Sequence, residues 1–187
     1  EFVSISGGKH SMGGQQFGAG TTNLSMSSFN QVIGMDSDKG IIEVQSGIQW
    51  PELVDWLLKN QGDAKTKWGI RQKQTGADRL SIGGALSSNI HGRGLKMRPM
   101  IDDVESFTLI DADGNIKTCS RNENRELFRL VIGGYGLFGV IGTVKVRLAP
   151  VTVLERVVEL IEVKDFIPLV SGRIKEGFLY GDFQFST

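Results

Sequence analysis

An α+β fold, with short strands gathered into small sheets and helices between them, is predicted by three features of this sequence. Alternating apolar and polar residues mark extended segments, as in "FVSIS" at residues 2–6 and "VIGTVKVRL" at 140–148. Apolar residues at helical spacing mark two amphipathic helices, "WPELVDWLLKNQG" and "ENRELFRLVIG". A turn signal, "DADGN" at 111–115, joins two neighbouring strands as a hairpin, so part of the sheet is antiparallel.

Taken in order, strands are expected at residues 2–6, 23–27 and 41–47, the last ending in a turn signal. The first helix has Pro51 in its opening turn, Glu52 at the positive end of its dipole and Gly62 as its stop. Leu53, Trp56, Leu57 and Asn60 share one face, and Val54 and Leu58 are expected to widen the apolar stripe. "SIGGALSS" at 81–88 reads as a tightly packed turn or short helix. "VESFTLI" at 104–110 and "IKT" at 116–118 form the hairpin. Ser120 and Glu123 have the spacing of a capping box for the second helix, which Gly133 closes. In the strand at 140–148, Val144, Val146 and Leu148 face one side, and Lys145 and Arg147 the other. After Pro150 the texture turns β-branched and acidic. "DFIPLVSGRIKEG" at 165–177 reads as a helix, and "FLYGDFQFST" at 178–187 as an alternating strand. Residues from about 152 are expected to open a second module, and both ends of the chain read as cut within a longer protein.

Composition narrows the function. The 187 residues suffice for one domain with a real core. Basic and acidic residues number 21 each, which argues against a nucleic-acid surface or a polybasic membrane patch. Cys119 is the one cysteine, so no internal disulfide forms, which suits a reducing, cytoplasmic setting. No apolar run is long enough to span a bilayer. Asn23-Leu24-Ser25 has the form of a glycosylation sequon. The anomaly is glycine: 25 residues, concentrated at 7–20, 83–94 and 133–142 without a repeat period. Such clusters are either tight turns between strands or loops whose backbone N–H groups approach a ligand, and their Ser content favours the second reading.

Two apparent nucleotide motifs fail on context. Gly134 to Gly139 matches G-x-G-x-x-G, with Glu159 where a ribose-binding acid would stand. That fingerprint needs a strand before it and a helix after it, and here the order is reversed. "GGKHS" at 7–11 has the wrong spacing for a Walker loop and places His10 where Ser or Thr should follow the lysine. No metal-ligand spacing is present, and both histidines, His10 and His91, lie in glycine-rich loops.

Three segments in series resemble the PCMH-type FAD-binding domain of the vanillyl-alcohol-oxidase family of flavoproteins. "SGGKHSMGGQ" at 6–15 is similar to its "RGxGHSxxGQ" loop, and "DRLSIGGALSSNIHGRG" at 78–94 to its "xxTVGGxLSxxxHGxG" loop. The stretch from Asp102 to Val151, containing "ELFRLVIGGYGLFGVI", is similar to the family's "NxDLF…GGxGxFGVI" region. The closest textures are cytokinin-dehydrogenase-like and alditol-oxidase-like. The resemblance implies an α+β domain of two small sheets with interleaved helices over residues 1–151, whose N-terminal part is missing. It implies that 152–187 begin a truncated substrate or cap domain. It also implies FAD rather than FMN, because the loops are spaced for a pyrophosphate. Backbone N–H groups of a Gly/Ser loop hold a diphosphate without cationic side chains, which suits a neutral domain.

Carried over by this resemblance, the cofactor-binding residues are Gly7, Gly8, Lys9, His10, Ser11 and Gln15 from the first loop. From the second come Ser81, Gly84, Ser87 and His91, with Asp78 a little out of register with the family's acidic position. Ile141 would lie near the adenine or ribityl side. Members with "GHS" often link this histidine covalently to the flavin 8α-methyl, so His10 is the expected tether, and His91 is expected to support its loop rather than act as a base. The implied activity is that of an FAD-dependent oxidase or dehydrogenase taking a hydride from a small-molecule alcohol, hydroxy acid or amine to flavin N5. The family's base lies in the cap, so no catalytic residue is assigned, and this stretch alone is expected to be inactive. The alternatives are an FAD-binding subunit of a multi-chain oxidoreductase and a non-catalytic FAD-binding module.

Overall fold

The computed structural model describes residues 2–185. Two parallel strands, β1 (Val3–Ser6) and β2 (Thr22–Ser25), pair in register Val3↔Thr22 to Ser6↔Ser25. Parallel neighbours need a long crossover, and residues 7–21, the first glycine cluster, supply it. The Asn23 carboxamide ties this unit together. Its oxygen accepts from Ser6 Oγ at 2.8 Å, and its Nδ2 donates to Ser4 Oγ and the Gln16 carbonyl, both at 3.0 Å. The sequon residue thus has a structural role.

The main sheet has five antiparallel strands in the order β3-β4-β8-β6-β7, where β3 is Val32–Asp36, β4 Ile41–Gln45, β6 Val104–Ile110, β7 Ile116–Ser120 and β8 Val140–Arg147. A third ladder of two residues each joins β5 (Trp68–Gly69) to β9 (Ala149–Pro150), one more than the two sheets expected. The described residues also form four α-helices, α1 (Trp50–Lys59), α2 (Ile82–Ser87), α3 (Arg125–Val131) and α4 (Phe166–Glu176), and two short 3-10 turns at Met100–Asp102 and Val163–Asp165.

Alternation decides the sheet's faces. Ile42, Val44, Val104, Phe107, Leu109, Val144 and Val146 turn to one side and are buried. They form one core with Leu53 and Leu57 of α1, Leu86 of α2 and Phe128 of α3. The Phe107 and Phe128 rings stack with centroids 5.7 Å apart. The Arg121 guanidinium covers Phe128 at 5.3 Å and donates to the Val104 and Ile101 carbonyls. Cys119 lies in the same core, and burial pushes its thiol pKa up, so it packs as an unreactive apolar group.

Several expectations need correction. β3 was not expected, because Gly34 interrupts its alternation and most of its side chains stay exposed. Val54 and Leu58 do not widen the α1 stripe: Leu58 is 79% exposed, and the buried line is Trp50, Leu53 and Leu57. The capping box at Ser120 is not formed. Ser120 Oγ accepts from Asn122 N and Glu123 N in a turn that ends β7, and Asn124, at φ +45°, precedes α3. The expected strand at 178–187 is reduced, among the described residues, to a single bridge between Gly94 and Tyr180, and Ser186 and Thr187 lie outside those residues. Residues 151–162 form neither helix nor strand and are exposed.

The hairpin turn is electrostatic. Asp111 takes a hydrogen bond and ion pair from Lys117 at 2.8 Å and accepts from Asn115 N at 2.9 Å, which hold its carboxyl down at about 2. A depressed carboxyl contributes stability above its unfolded value of 3.8 and loses it as pH falls toward 2. Asp111→Asn is therefore expected to flatten the acid limb of a pH–stability curve measured by urea unfolding. Phe107→Ala should lower unfolding free energy by about 3–5 kcal/mol at neutral pH in the same assay.

Candidate functional site

The first glycine loop leaves β1 at Ser6, which is fully buried, and turns at once against the second. A Cβ on Gly7 would collide with Ser81 Oγ, and one on Gly8 with the Arg79 carbonyl oxygen. Glycine is needed at both positions because two backbones approach closely. Gly8 N donates to Ser81 Oγ at 3.3 Å. The chain then passes through Lys9 at φ +59° and presents His10 and Ser11 on the surface, with Gln15 also exposed. Gly14 N donates to the Ser11 carbonyl at 3.2 Å, closing the turn.

The second loop is organised by Ser81, which is 2% exposed and caps α2 by accepting from Gly84 N at 3.3 Å. Its oxygen thus serves two N–H donors, and its own O–H remains a donor. Ile82 N and Gly83 N donate to the carbonyls of Ile48 and Ser46, at 2.9 and 2.7 Å, seating α2 against the end of β4. At the other end of α2, the Leu86 and Ser87 carbonyls accept from Gly133 N and Tyr135 N, each at 3.0 Å. Tyr135 sits at φ +52°. The three glycine clusters therefore meet around one short helix, the first at its start and the third at its end. The reversed order around the G-x-G-x-x-G stretch is also observed, with α3 before it and β8 after it.

The remaining expected residues are placed as follows. His91 is exposed, with Nδ1 3.0 Å from the Gly92 carbonyl oxygen. Asp78 pairs with Lys73, whose hydrogen bond and charge hold the carboxyl below its ordinary value. Ile141 is in register with Leu109, and its side chain is 7% exposed within the core. Residues that the sequence reading missed lace the second loop to its neighbours. Gln72 accepts from Gly92 N at 3.3 Å and donates to the Arg98 carbonyl. Asn89, at φ +43°, accepts from Ile101 N at 3.2 Å. Arg71 donates to Asp103 at 2.7 Å, and Asp103 is 4% exposed, so burial raises its carboxyl pKa while Arg71 opposes the rise. An Asn beside a glycine-rich run was the one available signal, since Asn tolerates the left-handed region.

A cleft of about 460 Å³ opens beside this lacing, lined by Ile70, Arg71, Met97, Leu154 and Tyr180 among others. Among the described residues there is no group of three or more His, Cys, Asp or Glu fit for a metal, and no helix is long and apolar enough to cross a membrane.

Such an arrangement suits a dinucleotide diphosphate. Gly7 and Gly8 bring bare backbone close to the capped start of α2, Ser81 locks the two loops from inside, and Lys9, His10 and Ser11 stand on the exposed side of the first loop. The chemistry of this donor set agrees with a sequence comparison: the FAD binding domain family matches residues 2–120, and the chain belongs to that family. Similar proteins include cytokinin dehydrogenase 3 of Oryza sativa subsp. japonica, 34% identical over 78% of this chain and 27% of that protein. Cytokinin dehydrogenase 2 of Arabidopsis thaliana is 32% identical over 78% of the chain and 28% of its own length. L-gulonolactone oxidase of Mus musculus is 29% identical over 68% of the chain and 27% of its own length. The chain thus spans less than a third of these relatives.

Ser81→Ala is expected to lower unfolding free energy by about 1–2 kcal/mol, because the α2 cap is lost and Gly8 N loses its acceptor. Gly8→Ala should disturb both loops together, read as simultaneous chemical-shift changes at residues 6–11 and 79–84, while residues around Asp111 stay unmoved.

Proposed function

We propose that this chain is the cofactor-holding part of an FAD-dependent oxidase or dehydrogenase whose donor is a C–H bond of an alcohol, hydroxy acid or amine. The observation that carries the reading is the convergence of the three glycine loops on α2 in a chain of the FAD binding domain family. The names dehydrogenase and oxidase among its relatives support it. Bound FAD supplies the redox chemistry, accepting a hydride at its N5.

The chain's own residues bind and orient. Ser11 and Gln15 of the exposed first loop and Ser87 of the second would hold the diphosphate, while Gly7, Gly8, Ser81 and Gly84 lock the two loops together beneath it, since Gly8 N and Gly84 N both donate to Ser81 Oγ. Lys9 adds a positive charge beside the diphosphate. His91 keeps its loop in shape, Asp78 stays anchored to Lys73, and Ile141 would serve the adenine or ribityl end from its place on β8. His10 would be the tether: its imidazole nitrogen would replace a hydrogen of the flavin 8α-methyl, the proton leaving to solvent and the electron pair passing to the flavin, to be removed by an external electron acceptor, and the glycines around it let the ring turn away from the backbone beside the diphosphate. Residues from about 152 belong to a second, substrate-binding domain in this reading. In support, the buried core stops at Leu148 and α4 has no buried residue.

Three measurements test this. Flavin released from the purified full-length protein and identified by mass should be FAD; FMN, or no flavin after reconstitution, overturns the reading. After acid precipitation, yellow colour should stay in the pellet and be lost in His10→Ala; flavin passing wholly into the wild-type supernatant removes the tether. His91→Ala should weaken FAD retention about fivefold without selectively slowing the chemical step.

A further inference from the structure

Residues 178–182 run across two loops that serve the glycine-loop region. Leu95 N donates to the Leu179 carbonyl at 2.9 Å and Gly181 N to the Arg93 carbonyl at 3.0 Å, a short antiparallel bridge centred on Gly94 and Tyr180. The Arg93 guanidinium pairs with the Asp182 carboxylate at 2.5 Å. The Tyr180 hydroxyl donates to the Arg71 carbonyl, the residue whose guanidinium holds Asp103. Gln72, next to Arg71, in turn receives Gly92 N. The segment is therefore fastened on both sides of the turn that carries His91.

Its far side is held too. The Arg173 guanidinium lies 4.6 Å from the Phe178 ring centroid and reaches the Glu159 carboxylate at 3.0 Å. The Phe183 ring lies 4.2 Å from that of Phe166. Residues 178–182 thus tie α4 to the second glycine loop, far in sequence from both the first and third.

We propose that residues 178–182 are a clasp that sets the second glycine loop, with Tyr180 and Asp182 as positioning residues for cofactor retention; this rests on the FAD reading above. The turn from His91 to Gly94 contains two half-buried glycines alternating with the exposed His91 and Arg93, and left alone its backbone samples many conformations. Pinning Arg93 and Leu95 removes most of that freedom before a ligand arrives, which strengthens binding without adding a contact to the ligand. By reciprocity, a ligand on the loop must tighten the clasp by the same factor. Tyr180 and Asp182 act through Arg71, Arg93 and Gly94.

The test compares the full-length protein that carries these residues with its Tyr180→Phe, Asp182→Asn and charge-swapped Arg93→Glu/Asp182→Lys variants. Hydrogen exchange is followed at residues 92–95 and 179–182 with and without FAD, and FAD affinity is read by flavin fluorescence. In Asp182→Asn and Tyr180→Phe, exchange at Leu95 and Gly181 should rise and FAD affinity fall, each by about two- to fivefold, with the swapped pair recovering both relative to Asp182→Asn. In the wild type, FAD should slow exchange at Gly181. Unchanged exchange in the variants overturns the clasp. Faster exchange with unchanged FAD affinity overturns its role in retention while leaving the FAD reading intact. No FAD uptake by the wild type overturns the FAD reading and the coupling with it, and the flavin-free exchange rates tell that failure from failure of the clasp itself.

Discussion

The hydroxyl oxygen of Ser81 accepts from Gly8 N and Gly84 N, at 3.3 Å each, in a position almost closed to water. Neither bond is short, and each is worth about 1 kcal/mol net. Their weight lies in what they join. One donor belongs to the crossover between two parallel strands, and the other opens a helix seated on the main sheet through Ser46 and Ile48. A burial that tight leaves no water to replace a lost acceptor, so two N–H groups would be stranded at once. The collision that any side chain at Gly7 or Gly8 would cause comes from the same proximity. Close approach, cap and inter-loop bond are one constraint, and the third loop's grip on the far end of α2 depends on that helix being held.

Much of the fold was legible because local and tertiary demands agree. The strand at Val104–Ile110 is rich in β-branched and aromatic residues, buries Val104, Phe107 and Leu109 despite its register shifts against β8, and runs into a turn whose Asp and Gly satisfy its geometry. The first helix, with Pro51 near its start and Glu52 accepting from Gln49 N, was equally plain. Failures came where tertiary context overrode a local signal. Ser120 and Glu123 have capping-box spacing, but the hydroxyl is claimed by the turn leaving β7, and Asn124 takes the helix start. β3 is an edge strand with a glycine in it, so it has little alternation to show.

The loops that make up the candidate site were legible as glycine clusters, but their mutual contact was not, because periodicity says nothing about which loops meet. Ser81 stood out through its motif; Gln72, Arg71 and Asn89 did not, since their side chains act through hydrogen bonds to residues 12 to 32 positions away. A motif singled out Ile141, whose side chain packs inside the core, so a role toward a ligand would fall to its main chain on β8.

The strand order has a consequence for how the protein is made. β8 lies at the centre of the sheet between β4 and β6, yet it is the last of the five strands in the chain. As the polypeptide emerges from the ribosome, the β3–β4 and β6–β7 hairpins can form early from nearby residues. Each then presents a raw inner edge and a bare apolar face until residue 147 arrives to bridge them. During that interval the nascent chain is open to wrong pairings, and its yield depends on how quickly translation delivers β8.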